Sequence, residues 1–123
     1  MKNLLIIGGT SGFGLIFARV LSKHYSVTIT GRREISEPNL QSVFLDSSNL
    51  DVNWLRDHAP QIIINNGYDK KNHLASFDNS LKVVRESIKY FKEQGGGVLV
   101  NISSIAGLNP DVNDPDYAAS KHG

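Results

Sequence analysis

At 123 residues the chain has room for one domain and one core. It carries 13 Lys and Arg against 12 Asp and Glu, a net charge of +1, with 40% hydrophobic and 20% charged residues, the balance of an ordinary soluble globular chain. No bulk field points to nucleic acid or an anionic membrane, and the absence of Cys removes a disulfide framework and a thiolate metal site. His24, His58, His73 and His122 lack ligand spacing, so no metal is assigned. The apolar run Leu4 to Ile7 is too short for a signal-peptide core, and no segment reaches transmembrane length, so a cytoplasmic protein without a membrane partner is expected.

That run is the first expected strand, and it opens directly onto Gly8-Gly9-Thr10-Ser11-Gly12-Phe13-Gly14. An amphipathic run from Phe13 to Tyr25 follows, so the glycines stand where a buried strand turns into a helix. Glycines there let the backbone turn tightly and approach an anion. The first helical turn offers unpaired N–H groups and the positive end of its dipole, so the expected ligand is a phosphate. Glycines at 8, 12 and 14 give G-x-x-x-G-x-G, which is neither the common G-x-G-x-x-G fingerprint nor a P-loop with its Gly-Lys-Ser/Thr. The pattern resembles the cofactor loop of the short-chain dehydrogenase/reductase family, T-G-x-x-x-G-x-G, with Ile7 where that family usually has Thr. A glycine-rich turn in an unrelated α/β protein is the other reading of this stretch taken alone.

In the first helix, Phe13, Ile16, Phe17, Val20 and Leu21 recur at helical spacing and are expected to cover the sheet, with Arg19, Ser22 and Lys23 in water. Ser26 to Thr30, rich in β-branched residues, is the second strand. In a dinucleotide fold, a carboxylate at the end of this strand would bind the ribose 2′-hydroxyl of NAD, whereas arginines accept the 2′-phosphate of NADP. Gly31, Arg32 and Arg33 stand here with no acid before Glu34, which favours NADP(H) over NAD(H), unless the arginines only solvate a loop. The basic residue that the family sometimes adds within the glycine loop is absent, since Ser11 supplies none.

Glu34 to Leu40 is polar and holds Pro38, so a loop is expected where many dinucleotide folds place a helix. Val43 to Asp46 is a short third strand, and Leu50 to His58 has helical spacing, with N-cap candidates from Asp46 to Asn49. Asp46 resembles the family's acid at the adenine edge, and a helix-cap or turn role fits it equally. Gln61 to Ile64 is a continuous apolar strand leading to Asn65-Asn66-Gly67-Tyr68, and apolar faces on both sides imply a parallel sheet covered on both sides. The family usually reads Asn-Asn-Ala-Gly here, which places Asn66 and Gly67 at the cofactor and leaves Asn65 to tie strands together. Residues 74 to 94 form the longest helix, with Leu74, Phe77, Leu81, Val84, Ile88 and Phe91 as its expected core stripe. A second line through Val83, Ser87 and Tyr90 is available for a partner copy. Gly95 to Gly97 end the helix, and Val98 to Ile102 is the fifth strand.

Ser104 lies 13 residues before Tyr117, Asn79 lies 25 before Ser104, and Lys121 follows Tyr117 by four. The order of these motifs after the glycine loop resembles that of the same family, classical type, and covers its N-terminal half. The resemblance implies Asn79, Ser104, Tyr117 and Lys121 as catalytic residues. Cofactor contacts are expected from Gly8, Thr10, Ser11, Gly12, Phe13, Gly14, Arg32, Arg33, Asp46, Asn66, Gly67, Tyr117 and Lys121. A phenol donates a proton near neutral pH only when its pKa falls from about 10, and a lysine one helical turn away stabilises the phenolate.

The expected architecture is therefore α/β: one Rossmann-like domain over 1–123, a doubly wound parallel sheet of five strands in the order 3-2-1-4-5, truncated after the fifth. The expected function is hydride transfer between NADP(H) and a small carbonyl or alcohol substrate, with association of copies through the helix at 74–94. The alternative is a nucleotide-binding module without turnover, or an inactive fragment of a longer enzyme. A nucleotide-sugar epimerase fits less well, because those relatives space their glycines as G-x-x-G-x-x-G.

Overall fold

The computed structural model describes residues 1–10, 12–66 and 73–102, with side chains from residue 78 onward in the last stretch. The elements are β1 (Asn3–Ile7), α1 (Gly12–Leu21), β2 (Ser26–Gly31), β3 (Leu40–Phe44), a 3-10 turn (Ser47–Asn49), α2 (Val52–His58), β4 (Ile62–Asn65), α3 (His73–Gln94) and β5 (Val98–Asn101). The strands form one parallel sheet, as the apolar runs imply, in the order β3-β2-β1-β4-β5 that the resemblance implies. The register pairs Ile7 with Thr30 and Asn65, Gly31 with Phe44, and Asn65 with Asn101, so the carboxyl ends of all five strands meet at one edge.

Alternation within β1 divides the core. Leu5 and Ile7 face α2 and α3 in a cluster with Leu45, Leu50, Leu55, Ile63, Val83, Tyr90 and Phe91. Leu4 and Ile6 face α1, together with Ala18, Val27, Ile29 and Ile64. The connection from β2 to β3 contains no helix, as expected, but β3 begins at Leu40 and ends before Asp46, earlier than the sequence suggests. Its residues pair with Val27 to Gly31, and this pairing outweighs the polar character of Gln41 and Ser42.

Both helix faces expected from periodicity are rotated. On α1 the buried residues are Gly14 and Ala18, while Phe13 is 67% exposed and Ile16, Phe17 and Val20 are exposed too. Of the expected stripe only Leu21 packs toward the sheet, joined by Leu15. The cause is distance: a Cβ on Gly14 would stand 2.5 Å from the Gly8 carbonyl oxygen, so the helix sits too close to its own incoming strand for a large side chain. Because α1 is apolar nearly all round, the 3.6-residue period allows more than one face, and the small residues at 14 and 18 choose.

On α3 the line offered for a partner, Val83, Ser87 and Tyr90, is the core line, joined by Phe91. Leu81 and Ile88 are 39% and 43% exposed, Val84 is half-buried, and the side chains of Leu74 and Phe77 lie outside the described residues. Ser87 again lets the helix approach the sheet. The buried phenol of Tyr90 donates to the Pro60 carbonyl at 2.7 Å, which fixes the turn of the helix about its axis.

The ends are capped locally. Asp51, not a residue of the 46–49 stretch, accepts from the Trp54 N–H at 2.8 Å and starts α2. Gly95 at φ 84° closes α3 in a Schellman arrangement, with the Gly96 N–H on the Phe91 carbonyl at 2.9 Å and the Gly95 N–H on that of Lys92 at 3.4 Å. Arg56 and Glu93 join α2 to α3 through two hydrogen bonds of 2.9 and 2.5 Å. Among the described residues no helix is long and apolar enough to cross a membrane.

Three substitutions test this packing in urea unfolding. Val83→Ala should destabilise by about 2 kcal/mol, as the loss of two methyl groups from a closed core does, whereas Leu81→Gln should stay within about 0.5 kcal/mol of the parent. Gly14→Ala should destabilise by about 1–3 kcal/mol, because the obstructing atom is backbone and has no rotamer to change.

Candidate functional site

The sheet order reverses at β1, between β2 on one side and β4 on the other, and in an open α/β sheet that switch point forms a crevice at the carboxyl edge. The chain leaves β1 there through Gly8. Gly8 adopts φ 79°, and the Gly8 and Gly9 N–H groups both donate to the Thr30 carbonyl, at 3.0 and 2.9 Å. Gly9 is pressed against Ile29, where a Cβ would come within 2.8 Å of Cγ2. Gly12, at φ 59°, opens α1, and a Cβ built on it meets nothing within 4 Å. The N–H groups of the first turn of α1 have no partner within the helix. This suits the phosphates of a nucleotide cofactor, which is the fit the glycine spacing predicts.

Around this loop the chain braces itself. Asn66 donates its backbone N–H to the Ile7 carbonyl at 2.9 Å and its side-chain amide to the Gly8 carbonyl at 3.3 Å. The nearly buried Thr10 lies against Gly31, where its side chain occupies the room a Cβ would need. Deeper in, the Asn65 amide donates to Ser80 Oγ at 3.1 Å and Asn101 Oδ1 at 3.2 Å, tying β4 to α3 and β5, which is the strand-tying role expected of it.

At the end of β2, Arg32 and Arg33 are exposed just beyond Gly31, on the same edge as Gly8. Asp46, just beyond β3, accepts the Ser48 N–H at 3.0 Å and the Ser48 hydroxyl at 2.9 Å on one oxygen. The Ser48 N–H, then its hydroxyl, hold the carboxyl below the usual aspartate range; burial opposes this and the charge of Arg32 adds to it. Asp46 is thus the cap of the Ser47–Asn49 turn, one of its two readings from sequence. Lys82 of α3 donates to the Ser48 carbonyl and ties the same turn down from the other side.

The structure thus brings Gly8, Thr10, Gly12, Gly14, Arg32, Arg33, Asp46 and Asn66 to one edge. Phe13 projects from the first turn of α1 into water. Asn79 is half-buried on α3 beside Ser80. Ser11, Gly67, Ser104, Tyr117 and Lys121 lie outside the described residues. Sequence reasoning missed Thr30, whose carbonyl organises the glycine loop, because a backbone acceptor leaves no residue-type signal. It also missed the Thr10–Gly31 contact, for which a glycine directly after a β-branched strand was the available signal. The Tyr90 phenol is buried against the Pro60 carbonyl, and burial raises its pKa above the usual tyrosine value. Among the described residues no group of three His, Asp or Glu could hold a metal ion.

The short chain dehydrogenase family model matches residues 75–123. Rat 15-hydroxyprostaglandin dehydrogenase, an enzyme named for NAD(+), is 28% identical, with 99% of this chain and 57% of that enzyme covered. The 3-oxoacyl-acyl-carrier-protein reductase FabG of Rickettsia felis is 29% identical, with 99% and 61% covered. The chain therefore spans somewhat over half the length of these curated relatives. In fold it is similar to 4-hydroxyisoleucine dehydrogenase solved in complex with NADH, at a TM-score of 0.74 and 24% identity over 99% of this chain and 64% of that one. With its parallel 3-2-1-4-5 sheet and its glycine loop at the switch point, the chain is similar in sequence and in fold to short-chain dehydrogenases/reductases.

Proposed function

We propose that the chain is the nucleotide-binding part of an NADP(H)-dependent oxidoreductase acting on a small carbonyl or alcohol substrate. The observation that carries the reading is the gathering of the glycine loop, the first turn of α1 and the Arg32–Arg33 pair at one sheet edge. The bound nicotinamide would supply or accept the hydride. Gly8, Gly12 and the α1 N-terminus would hold its phosphates, and Arg32 and Arg33 would take the 2′-phosphate through paired N–H donors. The named cofactors of the rat enzyme and of the 4-hydroxyisoleucine dehydrogenase complex are of the NAD type, so the NADP preference rests on these two arginines alone.

In this reading Tyr117 gives the proton that a developing alkoxide takes up, and Lys121 lowers its pKa toward working pH. Ser104 hydrogen-bonds the substrate oxygen, and Asn79 holds a water in the proton path. Association of copies, where it uses α3, uses the exposed Leu81 and Ile88 in place of the buried Val83, Ser87 and Tyr90. A cytoplasmic location goes with the Cys-free composition.

Titration with NADPH and NADH, followed by nicotinamide fluorescence, tests this reading. NADPH should bind more tightly. The double substitution Arg32→Ala with Arg33→Ala should weaken NADPH by about ten- to a hundredfold while leaving NADH within about twofold, the scale of one charged hydrogen-bonded group. An unchanged ratio would sink the 2′-phosphate assignment. In a preparation that turns over a carbonyl substrate, Tyr117→Phe should cut kcat by at least about a hundredfold with nucleotide binding retained; an unchanged rate would remove Tyr117 from the chemistry.

A further inference from the structure

The connection between β2 and β3 has no helix to support it, yet it is fixed at three points. Glu37 meets Arg19 of α1 through two hydrogen bonds, Nε to Oε2 at 3.3 Å and Nη2 to Oε1 at 2.5 Å. Ile35 packs into the α1-side cluster, and its N–H donates to Ser42 Oγ at 3.1 Å. Asn39, at φ 66°, turns the chain into β3. Arg32 and Arg33 lie between the end of β2 and these anchors, so the short span that carries them is held at both ends.

We propose that Arg19 and Glu37 are positioning residues for nucleotide selection: their ion pair clamps the connection onto α1 and presets Arg32 and Arg33 for the 2′-phosphate. The proposal rests on the NADP(H) reading above. Arg19 sits in the last turn of α1, ~10 Å along the helix from Gly12, so it acts through the loop and not as a phosphate ligand. The pair is too open to serve mainly as a source of stability, with 55% of the Arg19 side chain in water and 19% of Glu37. What it supplies is geometry. A free loop bearing two arginines loses conformational freedom when a phosphate orders it, and a loop already tied to the phosphate-binding helix has lost that freedom beforehand.

Glu37→Gln separates this role from simple electrostatics by sign. Removing an acid near a phosphate site strengthens phosphate binding through charge alone, whereas loss of the clamp weakens it. NADPH and NADH titrations of the whole chain should show Glu37→Gln and Arg19→Met each weakening NADPH by about three- to tenfold, with NADH within about twofold, the scale of one or two side chains left to be ordered on binding. The exchange Arg19→Glu with Glu37→Arg should restore NADPH to within about twofold of the parent. Equal weakening of both nucleotides, or a stronger hold on NADPH in Glu37→Gln, overturns the clamp. So does an unmoved ratio in both single variants when Arg32→Ala with Arg33→Ala abolishes the preference. A parent chain with no preference, or one whose ratio ignores Arg32 and Arg33, overturns the 2′-phosphate reading and the clamp together.

Discussion

Close approach at the Gly8 carbonyl is the constraint on which the rest of the structure depends. Three segments converge on that one oxygen: the loop leaving β1, the first turn of α1 at Gly14, and the end of β4 through the Asn66 amide. A backbone oxygen offers no room to spare, so the helix must present a glycine there. The same nearness lets the first turn of α1 stand directly over the crevice at the sheet's switch point. Packing alone thus sets the residue type at Gly14.

That demand explains how far the sequence could be read. The strands were legible because Leu4–Ile7 and Gln61–Ile64 are too short and too continuously apolar for anything but buried parallel strands. The glycine loop was legible because its spacing has a mechanical reason, and the Gly95–Gly97 stop because only a left-handed cap needs such residues there. The helix faces were not. Hydrophobic periodicity marks the large apolar residues, while a helix that lies close on a parallel sheet buries its small ones: Gly14 and Ala18 on α1, Ser87 on α3. The large residues are displaced outward by the same geometry.

Within the site the division is similar. Residues whose chemistry is in the side chain, such as Arg32, Arg33 and Asn66, could be proposed by type and position, and the fold brings them to the carboxyl edge of the sheet. Thr30 acts through its main-chain carbonyl and left no signal. Asp46 was readable in two ways because a carboxylate after a strand serves a cap and a ligand equally well, and its bonds to Ser48 realise the cap. Among the described residues, Asp46, Asn65 and Asn66 at the strand ends are each held by hydrogen bonds to their neighbours.

The rotated face of α1 changes how the fold meets water. Phe13, Phe17 and Val20 stand in solvent, and so do Val98 and Val100 of β5, which the register puts on the same side of the sheet as α1. Arg19 ties α1 to the β2–β3 connection through Glu37, and these aromatic and aliphatic groups lie on the α1 side of the sheet. Each Å² of such surface withdrawn from water returns about 25 cal/mol. The folded chain therefore carries a standing thermodynamic incentive for contact on this side, and its measured stability should be a property of what accompanies it in solution as well as of its own sequence.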